Sequence, residues 1–184
     1  MRLDTLTPAD VGRAATAAVL QRLSRLALPL SPGVTLRWDT QGDTGLGLTV
    51  ADLCAWAQAG TLGDWIDHED AADALLTATE ALYRAPLGDA WDGAVAAACA
   101  EDGPADTDPV ACVLAASWSR LKAMRGEAIT LRELARLASV APSRIKQLVV
   151  AGEIHARGPG GPHPHRVEAP EARRWLASRG LTGW

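Results

Sequence analysis

The chain has very little aromatic content apart from tryptophan, since its 184 residues include seven tryptophans, one tyrosine and no phenylalanine. Hydrophobic residues still make up 48% of the sequence, which is enough to form a buried core. Alanine and leucine must supply most of that core, and both favour helices, whereas strands prefer β-branched and aromatic residues. The composition therefore predicts a mostly α fold.

Cysteine is scarce and long apolar runs are absent. The chain has three cysteines, an odd number, and no two of them are close in sequence: Cys54, Cys99 and Cys112. This pattern argues against a disulfide framework or a zinc site and predicts buried, reduced thiols. No segment approaches the about 20 apolar residues that span a bilayer, and the N-terminus lacks the pattern of a signal peptide. The sequence therefore predicts a cytoplasmic protein with no membrane partner.

Charge is divided unevenly along the chain. The formal net charge is −4, which alone argues against a nucleic-acid partner. However, residues 1–125 hold 17 Asp and Glu against 9 Lys and Arg, whereas residues 126–184 hold 5 against 9. Such asymmetry is typical of a nucleic-acid-binding segment attached to a second, different part.

A polar linker with Pro and Gly over residues 101–107, together with Gly126, divides the chain into three parts. We predict an acidic, mainly helical domain for assembly or partner binding over residues 1–107. A connecting helix over residues 108–126 and a DNA-binding domain over residues 127–184 follow it.

Local patterns predict helices and one strand in the first part. Thr7-Pro8 is a capped start for the first helix, and Thr49 offers a second capped start. Alternating polar and apolar residues predict a strand. The predicted elements after the first helix are a strand over residues 34–38 and helices over residues 53–59, 71–84 and 88–100.

Residues 130–175 carry the most specific pattern. Thr130 and Glu133 form a T-x-x-E capping box at the start of one helix, and Pro142 fits the first turn of a second helix. In a helix-turn-helix, the N-terminal half of the second helix meets the bases and phosphates of DNA. The outward side chains in that half are Ser143, Arg144, Lys146 and Gln147, whereas Ile145, Leu148 and Val149 are spaced to face inward.

Two short strands are predicted after the second helix, over residues 155–157 and 166–168, with a Gly/Pro-rich tip over residues 158–162. Pro170 then opens a closing helix. The residues of that helix that we expect to face inward are Ala172, Trp175 and Leu176.

This order of elements resembles the excisionase and MerR-type winged helix-turn-helix superfamily over about residues 128–180. The motifs that carry the resemblance are Leu134-Ala135, the AGEI segment of residues 151–154, and Trp175-Leu176. The resemblance implies a helical N-terminal domain followed by a C-terminal winged helix-turn-helix with a short β-hairpin wing. It also implies that the protein binds double-stranded DNA.

The sequence departs from the superfamily pattern at three places, one of which is a wing that is longer and richer in Gly and Pro than most. Ser139 stands at the turn position that glycine usually holds, so a left-handed backbone there would cost free energy. MerR-type regulators carry a dimerising helix and an effector domain after this module, whereas this chain stops at Trp184 and places its extra domain first. The resemblance therefore implies DNA binding rather than a particular regulatory circuit.

These patterns predict a transcriptional regulator without a catalytic residue, cofactor or metal. Arg144 can read guanine and Gln147 adenine, while Lys146 suits a phosphate. A weakly basic module binds DNA weakly alone, so we expect a homodimer on two half-sites. The predicted DNA-binding residues are Thr130, Arg132, Ser143, Arg144, Lys146, Gln147, Arg157, His165 and Arg166.

Other interpretations fit the same sequence. The chain could be an adaptor or antitoxin-like protein whose acidic N-terminal domain binds a protein, or a DNA-architectural or recombination accessory factor. The acidic cluster over residues 64–70 offers hard ligands for Mg²⁺, although helix N-termini also favour such residues. His163 and His165 have no suitably spaced cysteine or carboxylate for a metal site. Tryptophans of the first part could line a ligand pocket, but core packing is the simpler interpretation.

Overall fold

The computed structural model describes residues 1–27, 45–60, 73, 76–77, 108–158, 165–181 and 184. These ranges contain six α-helices and a small three-stranded antiparallel sheet, so the predicted mostly α fold is confirmed. Several predictions lie outside the described residues: the strand over residues 34–38, most of the helix over 71–84, the helix over 88–100, the linker over 101–107, the acidic cluster over 64–70 and most of the wing tip.

Helices α1 (Pro8–Ala27) and α2 (Gly45–Ala59) pack closely against each other. Thr7 starts α1 as predicted, because its hydroxyl accepts a hydrogen bond from the backbone N–H of Asp10 at 3.1 Å. A Cβ atom at Gly12 would lie 2.7 Å from the carbonyl oxygen of Gly47. Glycine is therefore needed at this point, where the two helix backbones cross.

The predicted capped start at Thr49 is wrong, because α2 already begins at Gly45. Residues 45–47, which precede the predicted helix over residues 53–59, are already helical. Glycine is a poor helix former in isolation, but Gly47 is the point at which α2 meets Gly12 of α1. Packing between two helices here overrides the local capping signal.

Helix α3 (Pro109–Met124) corresponds to the predicted connecting helix. Asp108 caps it by accepting hydrogen bonds from the backbone N–H groups of Val110 at 2.9 Å and Ala111 at 3.3 Å. Twelve of its 16 residues are buried, so α3 is enclosed on nearly all sides. It packs against α1 and α2 and also against elements that follow it in the chain.

The elements after α3 are short. They are β1 (Ile129–Thr130), α4 (Leu131–Leu137), α5 (Pro142–Val150), β2 (Ala156–Arg157), β3 (Arg166–Val167) and α6 (Ala169–Ser178). The sheet has the order β1-β3-β2, and both pairings are antiparallel. The β2–β3 hairpin was predicted, whereas β1 was not, because two residues directly before a helix are too few to show an alternating pattern.

One cluster of buried side chains joins the described elements, from the 3₁₀ turn Leu3–Thr5 through to α6. The core position expected for the tryptophans is confirmed for Trp56, which is 2% exposed. Val149, expected to face inward, is only partly buried. The inward positions that are confirmed are Ile145, Leu148, Ala172, Trp175 and Leu176. On α4, the buried residues are Leu131, Leu134, Ala135 and Leu137.

Candidate nucleic-acid interface

Helix α5 has a buried inner face and an exposed outer face. Ile145 and Leu148 are at most 2% exposed on the inner face. Arg144 Nη1 donates to Gln147 Oε1 at 3.4 Å, a long hydrogen bond between two exposed side chains that base edges can replace. The outer residues, which we call the α5 face, are all exposed: Ser143, Arg144, Lys146 and Gln147.

The turn before α5 contains the unusual backbone position that the sequence pointed to. Ser139 has a φ of +53°, a left-handed conformation that costs roughly 1–2 kcal/mol in residues other than glycine. Its hydroxyl oxygen accepts a hydrogen bond from the backbone N–H of Asp4 at 2.9 Å, which glycine could not do. The serine therefore links the N-terminal segment to the turn between α4 and α5.

The predicted capping box at the start of α4 is confirmed. Thr130 Oγ1 accepts from the Glu133 backbone N–H at 3.2 Å, and Glu133 Oε2 accepts from the Thr130 backbone N–H at 2.7 Å. Lys122 Nζ of α3 lies 2.7 Å from Glu133 Oε1. Burial raises the pKa of Glu133, but the hydrogen bonds and charge of Lys122 and the cap outweigh it, so that the pKa lies below its ordinary value.

We expect Glu133→Gln to lower the free energy of unfolding by roughly 1 kcal/mol at pH 7, since glutamine keeps the capping box but loses the ion pair with half-exposed Lys122. Because the folded pKa of Glu133 is lowered, this stabilisation is present above the unfolded pKa and is lost as the pH falls through the folded value. Urea unfolding of both proteins between pH 7 and pH 3 measures it. A difference that stays constant down to the lowest pH would contradict the ion pair.

Three predicted contact residues meet in one row of the sheet, which we call the sheet row. Arg166 on β3 pairs directly with Thr130 on β1 and with Arg157 on β2. Directly opposed residues share a face of an antiparallel sheet. The opposite face is inside the protein, where Ile129 and Val167 are fully buried. The hydrophobic core therefore fixes the register that places the sheet row outside.

The two arginines of the sheet row face each other as like charges, an arrangement that destabilises a sheet. Arg157 Nη1 lies 3.5 Å from Glu168 Oε1, in an exposed ion pair that contributes little. Phosphate groups are counterions that would stabilise Arg157 and Arg166 in this arrangement.

The base of the hairpin is fastened to α6. The His155 backbone N–H donates to Glu171 Oε1 at 3.2 Å. Hydrogen bonds from Arg174 and His155 hold the pKa of Glu171 below its ordinary value. His165, a predicted contact residue, is exposed, and its ring lies so close to Gly158 that a Cβ there would be 2.5 Å from Nδ1. Glycine therefore lets the imidazole lie over the backbone.

Two arginines that sequence reasoning missed lie beside the turn before α5. Arg136 follows Arg132 by one turn of α4, and both line a small cleft at Ser139. The i,i+4 spacing was a signal that could have identified Arg136. Arg2 lines the same cleft from the N-terminal segment, and no local pattern indicates a contact between residues so far apart in the chain.

In the described ranges, no group of three or more His, Cys, Asp or Glu side chains is placed to hold a metal ion. Cys54 and Cys112 are buried and have no disulfide bond, which confirms the prediction for these two; Cys99 is outside the described residues. Burial, with Cys112 nearby, raises the pKa of Cys54 to about 11. This thiol is therefore protonated and unreactive near neutral pH.

No family model, no curated protein and no solved structure matches this chain. The helices of the described ranges include none that is both long enough and apolar enough to cross a bilayer. A functional assignment must therefore depend on the geometry and charge of the α5 face and the sheet row.

Proposed function

We propose that the chain binds double-stranded DNA sequence-specifically and is a transcriptional regulator acting in the cytoplasm. In this proposal a mainly helical N-terminal domain precedes a C-terminal winged helix-turn-helix formed by α4, α5 and the β2–β3 hairpin. The observation that carries it is the α5 face, where four polar or charged side chains are exposed on a helix whose other face is buried. That is the arrangement of a recognition helix in the major groove.

The chemistry of the α5 face suits base reading. The guanidinium of Arg144 can donate two hydrogen bonds to guanine, and the amide of Gln147 can pair with adenine. Their mutual hydrogen bond is long and exposed, so the cost of breaking it for DNA is small. Lys146 is suited to a backbone phosphate and Ser143 to either phosphate or base.

The sheet row and His165 supply the second contact, through the wing. Arg157 and Arg166 lie side by side on adjacent strands, a spacing that favours contact with backbone phosphates rather than with a single base. The Thr130 side chain caps α4. Its part in DNA binding is therefore to position α4 and, through its backbone, the edge of the sheet.

A homodimer is part of the proposal. Residues 126–184 carry a net charge of only +4, so one copy neutralises few phosphates and binds weakly. Two linked copies on adjacent half-sites bind more tightly than one, because binding of the first copy raises the effective concentration of the second at its half-site. The net charge of −8 on residues 1–125 repels DNA, which favours orientations in which the basic end meets the duplex.

Selection of bound duplexes from a random library, followed by sequencing, tests the proposal. We expect an enriched palindromic site whose half-sites lie about one helical turn apart, roughly 10–10.5 base pairs. The control is a triple variant, Arg144→Ala with Lys146→Ala and Gln147→Ala, which removes most of the α5 face and leaves Ile145 and Leu148 in the core.

Other outcomes of that selection discriminate the alternatives. If the wild-type chain enriches no sequence and shows no DNA shift at low salt, but co-purifies with a basic protein, it is an adaptor and the proposal is wrong. An enriched site that is bent on binding, without any effect on a promoter, would indicate an architectural or recombination accessory factor.

A further inference from the structure

Ser139 also lines a second, larger cleft of about 290 Å³, which we call the leucine cleft. Its other polar lining residues among the described ones are Asp4 and Gln58 of α2. Sites for small organic ligands in proteins start at about 300 Å³, so this cleft has the size for a small organic molecule. Its apolar walls are formed by four leucines from three parts of the chain: Leu3, Leu6, Leu137 and Leu181.

The apolar walls of the leucine cleft are held in place by hydrogen bonds. Gln58 Nε2 donates to the backbone carbonyl oxygens of Leu3 at 2.8 Å and Leu6 at 2.7 Å. Leu181 follows α6 in a Schellman motif, since its backbone N–H donates to the carbonyl oxygen of Leu176 at 3.3 Å. The leucines are therefore positioned before a ligand arrives, which lowers the entropic cost of binding.

Two polar side chains that line the leucine cleft have hydrogen-bonding capacity left. Both amide hydrogens of Gln58 are used by Leu3 and Leu6, and no described residue donates to its Oε1. Ser139 Oγ accepts from the Asp4 backbone N–H at 2.9 Å, and no described residue accepts its hydroxyl hydrogen. The cleft therefore offers one acceptor and one donor, which together match a single hydroxyl group on a ligand.

The charge at the leucine cleft is balanced. Asp4 is the one charged residue among the described residues that line it, and its carboxylate is paired with Arg2 at 2.6 Å. A charged ligand would lose hydration there without gaining a counterion. An uncharged ligand gains the free energy of burying its apolar atoms against the leucines, so the ligand class is uncharged.

We propose that the leucine cleft binds a small, uncharged and mainly apolar molecule that carries one hydroxyl group. The apolar part of the ligand packs against the leucines. Its hydroxyl group donates to Gln58 Oε1 and accepts from the hydroxyl of Ser139. The residues of this site are distinct from those of the α5 face and the sheet row, so the inference does not depend on the proposed DNA-binding function.

The test is a titration of the full chain, carrying labelled leucine methyl groups, followed by NMR. Cyclohexanol is the probe, cyclohexanone is a matched ring that cannot donate a hydrogen bond, and cyclohexanecarboxylate adds a charge. With cyclohexanol we expect saturable shifts of the methyl signals of Leu6, Leu137 and Leu181. Cyclohexanone should bind more weakly, because Gln58 Oε1 stays unpaired, and the carboxylate should give no saturable shift. Leu48, which is 53% exposed on α2, is the internal control and should not shift.

Leu6→Trp should abolish the cyclohexanol shifts of Leu137 and Leu181, because the larger side chain fills the cleft. Leu6 is only partly buried, and urea unfolding shows whether the variant is folded. Leu48→Trp is the matched control, which adds the same side chain outside the cleft and should leave binding unchanged.

Four results would overturn the inference. Two come from the wild-type chain with cyclohexanol: no saturable shift, or a shift of Leu48 as large as those of the cleft leucines. The third is a carboxylate that binds as tightly as the alcohol, which makes the ligand class wrong. The fourth is a folded Leu6→Trp variant that still binds cyclohexanol like the wild type. None of these results depends on whether the chain binds DNA, so they leave the proposed function to its own test.

Discussion

Arg144→Ala is expected to weaken binding to the selected DNA site by about 1–3 kcal/mol, or roughly 5- to 150-fold, and to leave binding to unrelated duplexes much less affected. The reason is that a bidentate contact to guanine supplies discrimination as well as affinity. Within the fold, Arg144 makes a 3.4 Å hydrogen bond to Gln147 on an exposed surface. The substitution therefore costs little stability, and fluorescence anisotropy reports the lost DNA contact.

Lys146→Ala is the matched comparison for Arg144→Ala, since both residues are exposed on the same helix. A phosphate contact should be lost equally on all sequences, so this variant should show a weaker salt dependence with an unchanged preference between duplexes. If Arg144→Ala behaved in the same way as Lys146→Ala, Arg144 would not read a base. If neither variant altered binding, α5 would not be the recognition helix.

Much of the region from α4 to α6 could be predicted from the sequence because its signals are local. The Thr130–Glu133 capping box lies within four residues, Pro142 marks the first turn of α5, and the helical period separates the α5 face from Ile145 and Leu148. Each of these depends on residues no more than a few positions apart. The structure confirms all three.

The features that were missed depend on residues far apart in the chain. The start of α2 is set by the approach of Gly47 to Gly12, and β1 exists because β3 pairs with it. Arg2 lies beside the turn before α5, where Gln58 and Ser139 hold the N-terminal segment through hydrogen bonds. No local propensity records such contacts, because the free energy that decides them comes from tertiary packing.

Arg120 on α3 is a further example, since nothing in the local sequence distinguishes it from a surface arginine. Its side chain is fully buried, and Nη1 donates to the carbonyl oxygen of Ala57 at 3.5 Å. The guanidinium carbon lies 4.1 Å from the centre of the Trp184 ring and 5.8 Å from that of Trp56. Burial lowers the pKa of Arg120 to about 10, so the group remains charged near neutral pH. A buried cation between two indole rings gains more from the cation–π contact than an exposed one.

We expect Arg120→Ala to lower the free energy of unfolding by about 3–5 kcal/mol. The variant loses the contact with both indole rings and removes a donor from the Ala57 carbonyl oxygen. It also leaves a cavity in place of the largest side chain that is fully buried among the described residues. Urea unfolding followed by tryptophan fluorescence measures the change, since Trp56 and Trp184 both report on this position.

Arg13→Ala is the control for Arg120→Ala. Arg13 is 63% exposed in its ion pair with Asp10, so this substitution should lower the free energy of unfolding by at most about 1 kcal/mol. If Arg120→Ala lowered the free energy of unfolding as little as this control does, the buried guanidinium would contribute no net stability. Arg120 is buried and lies outside the α5 face and the sheet row. Where the variant is still folded without denaturant, its DNA salt dependence should therefore equal that of the wild type. The same measurement thus separates Arg120, which joins α2, α3 and Trp184, from the arginines that we propose contact DNA.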